Sequence, residues 1–146
     1  MNLNLQIDTK EFERALKRLG DQMEDLVVDA AKAGGKVVEL AADAKAPGPH
    51  IVSEVTDQGP GFAEVSIGPN KEHWYYKFFE FGASSHQIKA KDAALLAFEG
   101  RRGPVLTPAV SHPGMAAKPF LRPAIKTERS AAVSAAGDTF KRGIRS

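Results

Sequence analysis

Leu3, Leu5 and Ile7 alternate with polar residues and predict a short strand at the start of the chain. Asp8 and Glu11 then form a capping-box pattern with aspartate as the cap. Phe12, Leu16 and Leu19 fall on one face of a first helix, which Gly20 can close in the left-handed conformation. Asp21 and Glu24 repeat the start signal. Met23, Leu26, Val27, Ala30, Gly34, Val37, Val38 and Ala41 recur at helical spacing and predict a second, long helix. Gly34 and Gly35 each weaken that helix by about 1 kcal/mol relative to alanine. Close approach of another backbone is the expected compensation, and a kink is the alternative. Pro47 ends the helix and "PGPH" reads as a turn.

"IVSEVTD" (51–57) and "FAEVSIG" (62–68) predict an antiparallel hairpin, with Ala63, Val65 and Ile67 on its buried face. The separating "QGPG" implies a loop longer than two residues. "HWYYKFFEFG" (73–82) then concentrates six of the chain's eleven aromatics. Helical spacing pairs Trp74 with Phe78 and Tyr75 with Phe79. A short helix is expected there, with an extended end at Phe81 and a break at Gly82. The following excursion predicts a strand near Ile88, a helical turn from Asp92 to Phe98, and a strand from Val105 to Val110. His112-Pro113-Gly114 makes a turn, and the whole reads as a projecting arm, 83–116. Pro123 suits the first turn of a last helix, whose thin, alanine-rich face carries Ile125, Ala132, Val133, Ala136 and Phe140.

The predicted architecture is therefore α+β: a small antiparallel sheet packed against a long helix, with a β-hairpin-like arm and a C-terminal helix. At 146 residues this is one domain, 1–146, ending in a flexible basic tail, 141–146. There are no cysteines, so disulfides and thiolate metal sites are excluded. The 20 basic and 18 acidic residues leave a net charge of only +2, too balanced to argue for nucleic acid alone. No apolar run approaches a membrane span, and the start lacks a secretory pattern; a cytosolic site of synthesis is expected.

The residues offer little catalytic chemistry. No phosphate-binding glycine loop is present, and "GGKVV" lacks both the preceding loop and the hydroxyl. His50, His73, His86 and His112 lie in separate segments without metal-ligand spacing. His112 reads as a turn residue, and His86 as exposed or as a partner of Glu80. Glu72 and Glu80 are better suited to a salt bridge or a helix start than to acid–base work, and Ser84 and Ser85 have no evident base. No cofactor, metal or small-molecule substrate is expected. Lys77 among the aromatics, followed by Lys89, Lys91, Arg101 and Arg102, offers base stacking and phosphate neutralisation as one reading. A surface that docks other protein subunits is the other, because aromatics and arginine are enriched in interface cores.

"YYKFFEFG" (75–82) and "HPGMAAKPFLRPAI" (112–125) together resemble the tail-completion, or head–tail joining, family of long-tailed bacteriophages. The similarity spans about residues 9–126. Its motifs are Glu80-Phe81-Gly82, then Pro119-Phe120-Leu121-Arg122-Pro123-Ala124, with an arm between them. After Ala46-Pro47 this chain has Gly48-Pro49-His50-Ile51, a shortened turn relative to the family's Asp-Thr-Gly. The resemblance implies a non-catalytic structural protein of the virion, assembled in the host bacterial cytoplasm and placed at the neck or tail top. It implies self-association in a ring, with six-fold symmetry expected, and contact with head–tail connector and tail tube or tail terminator proteins. The alternative reading is a nucleic-acid-binding protein that touches DNA in the channel through Arg101, Arg102 and the basic tail. Trp74, Tyr75 and Phe78 are expected to pack under the sheet. Arg122 is expected to hold the aromatic loop through an ion pair with Glu80.

Overall fold

Phe12, Leu16, Leu19, Met23, Leu26 and Ala30 repeat at alternating spacings of four and three, so both predicted helical stripes share one phase. In the computed structural model, which describes residues 10–91 and 94–145, they lie on one continuous helix, α1 (Lys10–Asp43). The expected break at Gly20 does not occur. Glycine tolerates a helix interior at a cost of about 1 kcal/mol, and the unbroken apolar phase carries the helix across it. The strand predicted at 3–7 and the Asp8 cap lie outside the described residues.

After α1 the chain turns through residues 44–50 into an antiparallel hairpin, β1 (Ile51–Gly59) and β2 (Phe62–Pro69). Gly59 pairs with Phe62, so the connection is two residues, Pro60 and Gly61, and not the longer loop that "QGPG" implies. Gly61 has φ +81°, which gives the proline-then-glycine signature of a type II turn. A register shift between Val55 and Asp57 bends β1.

The aromatic segment forms a 3-10 turn (Lys71–Tyr76) that runs into a short helix, α2 (Lys77–Phe81). Asn70 caps its start, the side chain accepting the His73 N–H at 3.0 Å. Phe81 is still helical, so the extended end expected there is absent; Gly82 makes the break.

The arm consists of two ladders. β3 (His86–Lys89) pairs with β6 (Ala109–His112), and β4 (Leu96–Gly100) pairs with β5 (Gly103–Thr107). The helical turn expected over 92–98 is thus a strand from Leu96 onward, with Phe98 opposite Val105. Helix-forming residues there yield to cross-strand pairing. Asp92 lies outside the described residues. The strand expected over 105–110 is two strands, interrupted at Pro108.

The last helix, α3 (Leu121–Arg145), runs antiparallel along α1 and includes residues 141–145, read from the sequence as a tail. Ala124 meets the core beside Ala42, Ala132 and Ala136 lie over Gly34, and Gly143 stands against Leu26. The close approach of another backbone expected at the helix glycines is present at Gly34, whereas Gly35 meets a side chain. A Cβ on Gly34 would lie 3.0 Å from the Ala132 carbonyl oxygen, and one on Gly35 would lie 2.7 Å from Val65 Cγ1. The alanine-rich face of α3 lets the helices approach closely. Ile125 and Val133, assigned to that face, are largely exposed. Phe12 and Leu16 in the first turns of α1 are exposed, and Leu19 is half-exposed in a pocket it shares with Gly143 and Ile144 at the end of α3.

The core is small: Val38 and Ala42 of α1, Ile51 of β1, Tyr76, Phe120 and Ala124. The architecture is the α+β arrangement anticipated from the pattern, a long helix against small antiparallel sheets with a C-terminal helix.

Candidate functional site

The two segments bearing the Glu80-Phe81-Gly82 and Pro119–Ala124 motifs meet where the arm leaves the body. Gly82 terminates α2 with φ +76°, a conformation that strains any side chain, and a Cβ there would lie 2.8 Å from the Met115 carbonyl oxygen. Past it, Ala83 and Met115 exchange both backbone hydrogen bonds, at 2.9 and 2.8 Å. Lys118 N–H donates to the Phe79 carbonyl at 2.7 Å. These contacts bind the outgoing and returning strands of the arm at its root.

Glu80 joins the root to α3. It is only 2% exposed. Its Oε2 accepts the backbone N–H groups of Phe120 and Leu121 at 2.7 and 2.9 Å. Its Oε1 accepts the Arg122 N–H at 3.1 Å and Arg122 Nε at 3.0 Å. Arg122 Nη2 reaches back to the Glu80 carbonyl at 3.0 Å. A helix start leaves its first N–H groups without intrahelical partners. Here Glu80 takes those of Leu121 and Arg122, Pro123 has none to offer, and Ala124 N–H bonds the Phe120 carbonyl at 3.3 Å. A carboxylate from a distant segment therefore caps α3, where the helix dipole also favours negative charge. The motif places proline at the position where a donor would otherwise go unpaired.

Burial alone would raise the Glu80 pKa. The N–H groups of Phe120, Leu121 and Arg122 and the Arg122 side chain outweigh it and hold the carboxyl below its ordinary value. Glu80 is thus a sealed anion with its lone pairs committed, an arrangement that fixes two segments together.

The expected Glu80–Arg122 ion pair is present. The expected burial of Trp74, Tyr75 and Phe78 is not: all three are exposed, Trp74 by 57%. The buried aromatics are Tyr76 and Phe120, with ring centroids 6.2 Å apart. Only one side of so short a helical segment can face the core, and Tyr76 and Phe79 occupy that side. Phe79 packs on Tyr76, at 5.9 Å, in place of the predicted contact with Tyr75. Trp74 and Phe78 do pair edge-to-face at 5.9 Å, with Lys77 Nζ 4.9 Å from the Trp74 ring centroid. Phe81 is exposed under the Arg122 guanidinium, 5.2 Å away. An aromatic patch therefore faces solvent beside the arm root.

Arg101 and Arg102 occupy the exposed turn between β4 and β5, at the other end of the arm from this cluster. Pro119 is exposed on the returning strand and Pro123 lies inside the first turn of α3.

Sequence reasoning missed the pairing of the histidines. His50 and His73 stack with centroids 3.5 Å apart, and His86 and His112 face each other across β3 and β6 at 5.0 Å. The second pair follows from the strand register and was not recoverable before the arm's pairing was known. His112 also serves its turn, accepting the Gly114 N–H at 3.1 Å, and His86 pairs with His112 in place of Glu80. The role of Gly48 was likewise missed: a Cβ there would lie 2.9 Å from the Tyr76 hydroxyl, so the glycine leaves room for that ring. Among the described residues, no cluster of three or more histidine, aspartate or glutamate side chains is placed to hold a metal, and no helix is long and apolar enough to cross a membrane. No protein-family profile, curated protein or solved structure matches the chain.

Proposed function

We propose that this chain is a structural protein of a long-tailed phage virion, placed at the neck or tail top, where it completes the tail for attachment to the head. It acts through protein–protein contacts in a homo-oligomeric ring and catalyses no reaction. The observation that carries this reading is the junction at Glu80. The two motifs on which the family resemblance rests interlock there, and they orient an arm that projects from the body. An exposed aromatic patch with a lysine over it, beside a rigid arm root, suits docking to neighbouring subunits. Head–tail connector and tail tube or tail terminator proteins are the expected neighbours, and assembly takes place in the host bacterial cytoplasm.

The test is electron microscopy of particles from a strain lacking the gene. Filled heads and free tails accumulating separately is the expected result. Normally joined, infectious particles would overturn it. The exposed Arg101 and Arg102 favour a second reading, contact with DNA through the arm tip and the end of α3. A DNA pull-down across a salt series separates the two: steep loss of binding between low and moderate salt supports DNA contact.

A further inference from the structure

Among the described residues β1 and β2 each have one unpaired edge, and the two edges are treated differently. On β1, the outward N–H groups of Ile51 and Ser53 donate to Asp43 Oδ1 and Glu39 Oε2, both at 2.9 Å. With its register shift at Val55, that edge is closed to pairing. Antiparallel alternation then turns the peptide groups of the partners Val65 and Ile67 outward on β2. Nothing covers them among the described residues. Beside that edge, Ala63, Val65 and Ile67 form one wall of an open groove of about 300 Å³, closed at its base by the buried Gly34 and Gly35, with Ala132 and Val133 of α3 as the opposite wall. An apolar slot bounded by a free strand edge accepts another strand.

The arm has the complementary deficiency. Both of its ladders are two-stranded, and Ile88, Phe98, Val105 and Leu106 are exposed, Leu106 by 69%. Two-stranded ladders are at best marginal in water without a third strand or a packing surface. The charges match as well. Residues 51–70 carry Glu54, Asp57 and Glu64 with no lysine or arginine, whereas the arm carries Lys89, Lys91, Arg101 and Arg102 against Asp92 and Glu99. The five residues of β4 equal the length of β2 from Ala63 to Ile67, whereas Pro104 has no N–H to donate from the outer edge of β5.

We propose that the β4–β5 end of the arm of one copy adds to the open edge of β2 in a second copy, seating apolar arm side chains in the groove between β2 and α3. Arm and groove are different surfaces, so the contact is head-to-tail and can close into a ring. The inference deepens the assembly reading and rests on its self-contact alone, independent of any place in a virion.

The chain lacks cysteine, so engineered thiols report only the intended contact. Leu106→Cys and Val133→Cys are both at exposed positions, where folding tolerates the change. Mixed at high concentration and oxidised, the two variants are expected to form a disulfide-linked heterodimer, and neither alone is expected to cross-link appreciably. Leu106→Asp in the otherwise unaltered chain is expected to weaken self-association roughly tenfold or more in sedimentation experiments. Absence of the heterodimer, equally abundant arm-to-arm bonds, or only an intrachain bond in the Leu106→Cys/Val133→Cys double variant would each overturn the proposal. Cross-linking of purified protein and imaging of deletion particles can fail separately, so the loss of one reading is distinguishable from the loss of the other.

Discussion

Glu80 Oε1 lies 3.0 Å from Arg122 Nε across 42 residues of chain, and the contact is asymmetric: Glu80 is sealed while the Arg122 side chain is 62% exposed. Removing the two partners should therefore have unequal effects. Glu80→Ala leaves the buried Phe120 N–H, the partly buried N–H groups of Leu121 and Arg122 and the start of α3 without an acceptor and is expected to cost about 3–5 kcal/mol. Arg122→Ala leaves Glu80 its three backbone donors and removes a solvent-screened cation, with an expected cost of about 1 kcal/mol. Urea unfolding of both variants checks the order. Equal losses would mean that the salt bridge, and not the cap, dominates.

Acid should weaken the fold through the same group. In the unfolded chain Glu80 takes up its proton near the ordinary value of 4.5, but in the folded chain only at lower pH. The unfolded state therefore binds protons first as pH falls. The contribution of Glu80 is complete above that value and is lost progressively below it. Glu39 acts with the same sign: burial raises its pKa, but Lys36 and the N–H and hydroxyl of Ser53 lower it further. The melting temperature is expected to drop between about pH 5 and about pH 3, and less steeply in Glu80→Gln, measured by circular dichroism.

What was legible in the sequence divides along physical lines. The helical stripe of α1 and the alternation in β2 were visible because periodicity is written in single residues, and the Glu80–Arg122 pairing was visible through the two motifs that carry those residues. Gly20 misled because Asp21 and Glu24 imitate a helix start, although the apolar phase running from Leu19 to Met23 already indicated continuity. "AALLAFEG" misled because a short apolar run does not distinguish helix from strand; its pairing with 103–107 decides it. The aromatic run showed that a core contact existed but not which rings made it. That choice depends on the direction in which the 3-10 turn presents Tyr76 to Phe120, a tertiary relation.

The glycines of α1 offer an internal control. Gly20 has nothing within 4 Å of an added Cβ, so Gly20→Ala is expected to stabilise α1 by about 1 kcal/mol through helix propensity. Gly35→Ala brings the same propensity gain but drives a methyl against Val65, and Gly34→Ala presses one on the Ala132 carbonyl. Both should destabilise by about 1–3 kcal/mol. Thermal melts give the signs, and amide exchange in residues 12–26 reports the local gain at Gly20. A loss of stability on Gly20→Ala would indicate that α1 bends there.

Trp74 is the chain's single tryptophan and lies exposed in the aromatic patch, so its emission reports directly on whether that patch becomes covered. In the free chain the indole faces water and its emission should be red-shifted. Docking of a subunit over Trp74 and Phe78 removes that water and should shift the emission to the blue as assembly proceeds. Trp74→Ala tests the same surface from the other side. More than half of Trp74 is exposed and its ring contacts the likewise exposed Phe78 and Lys77, so stability is expected to fall by no more than about 1 kcal/mol. Aromatic anchors at the centre of an interface contribute about 2 kcal/mol or more, so under the proposed function joining of heads to tails should fall sharply. A variant that folds normally and still supports joining would place the docking surface elsewhere on the molecule.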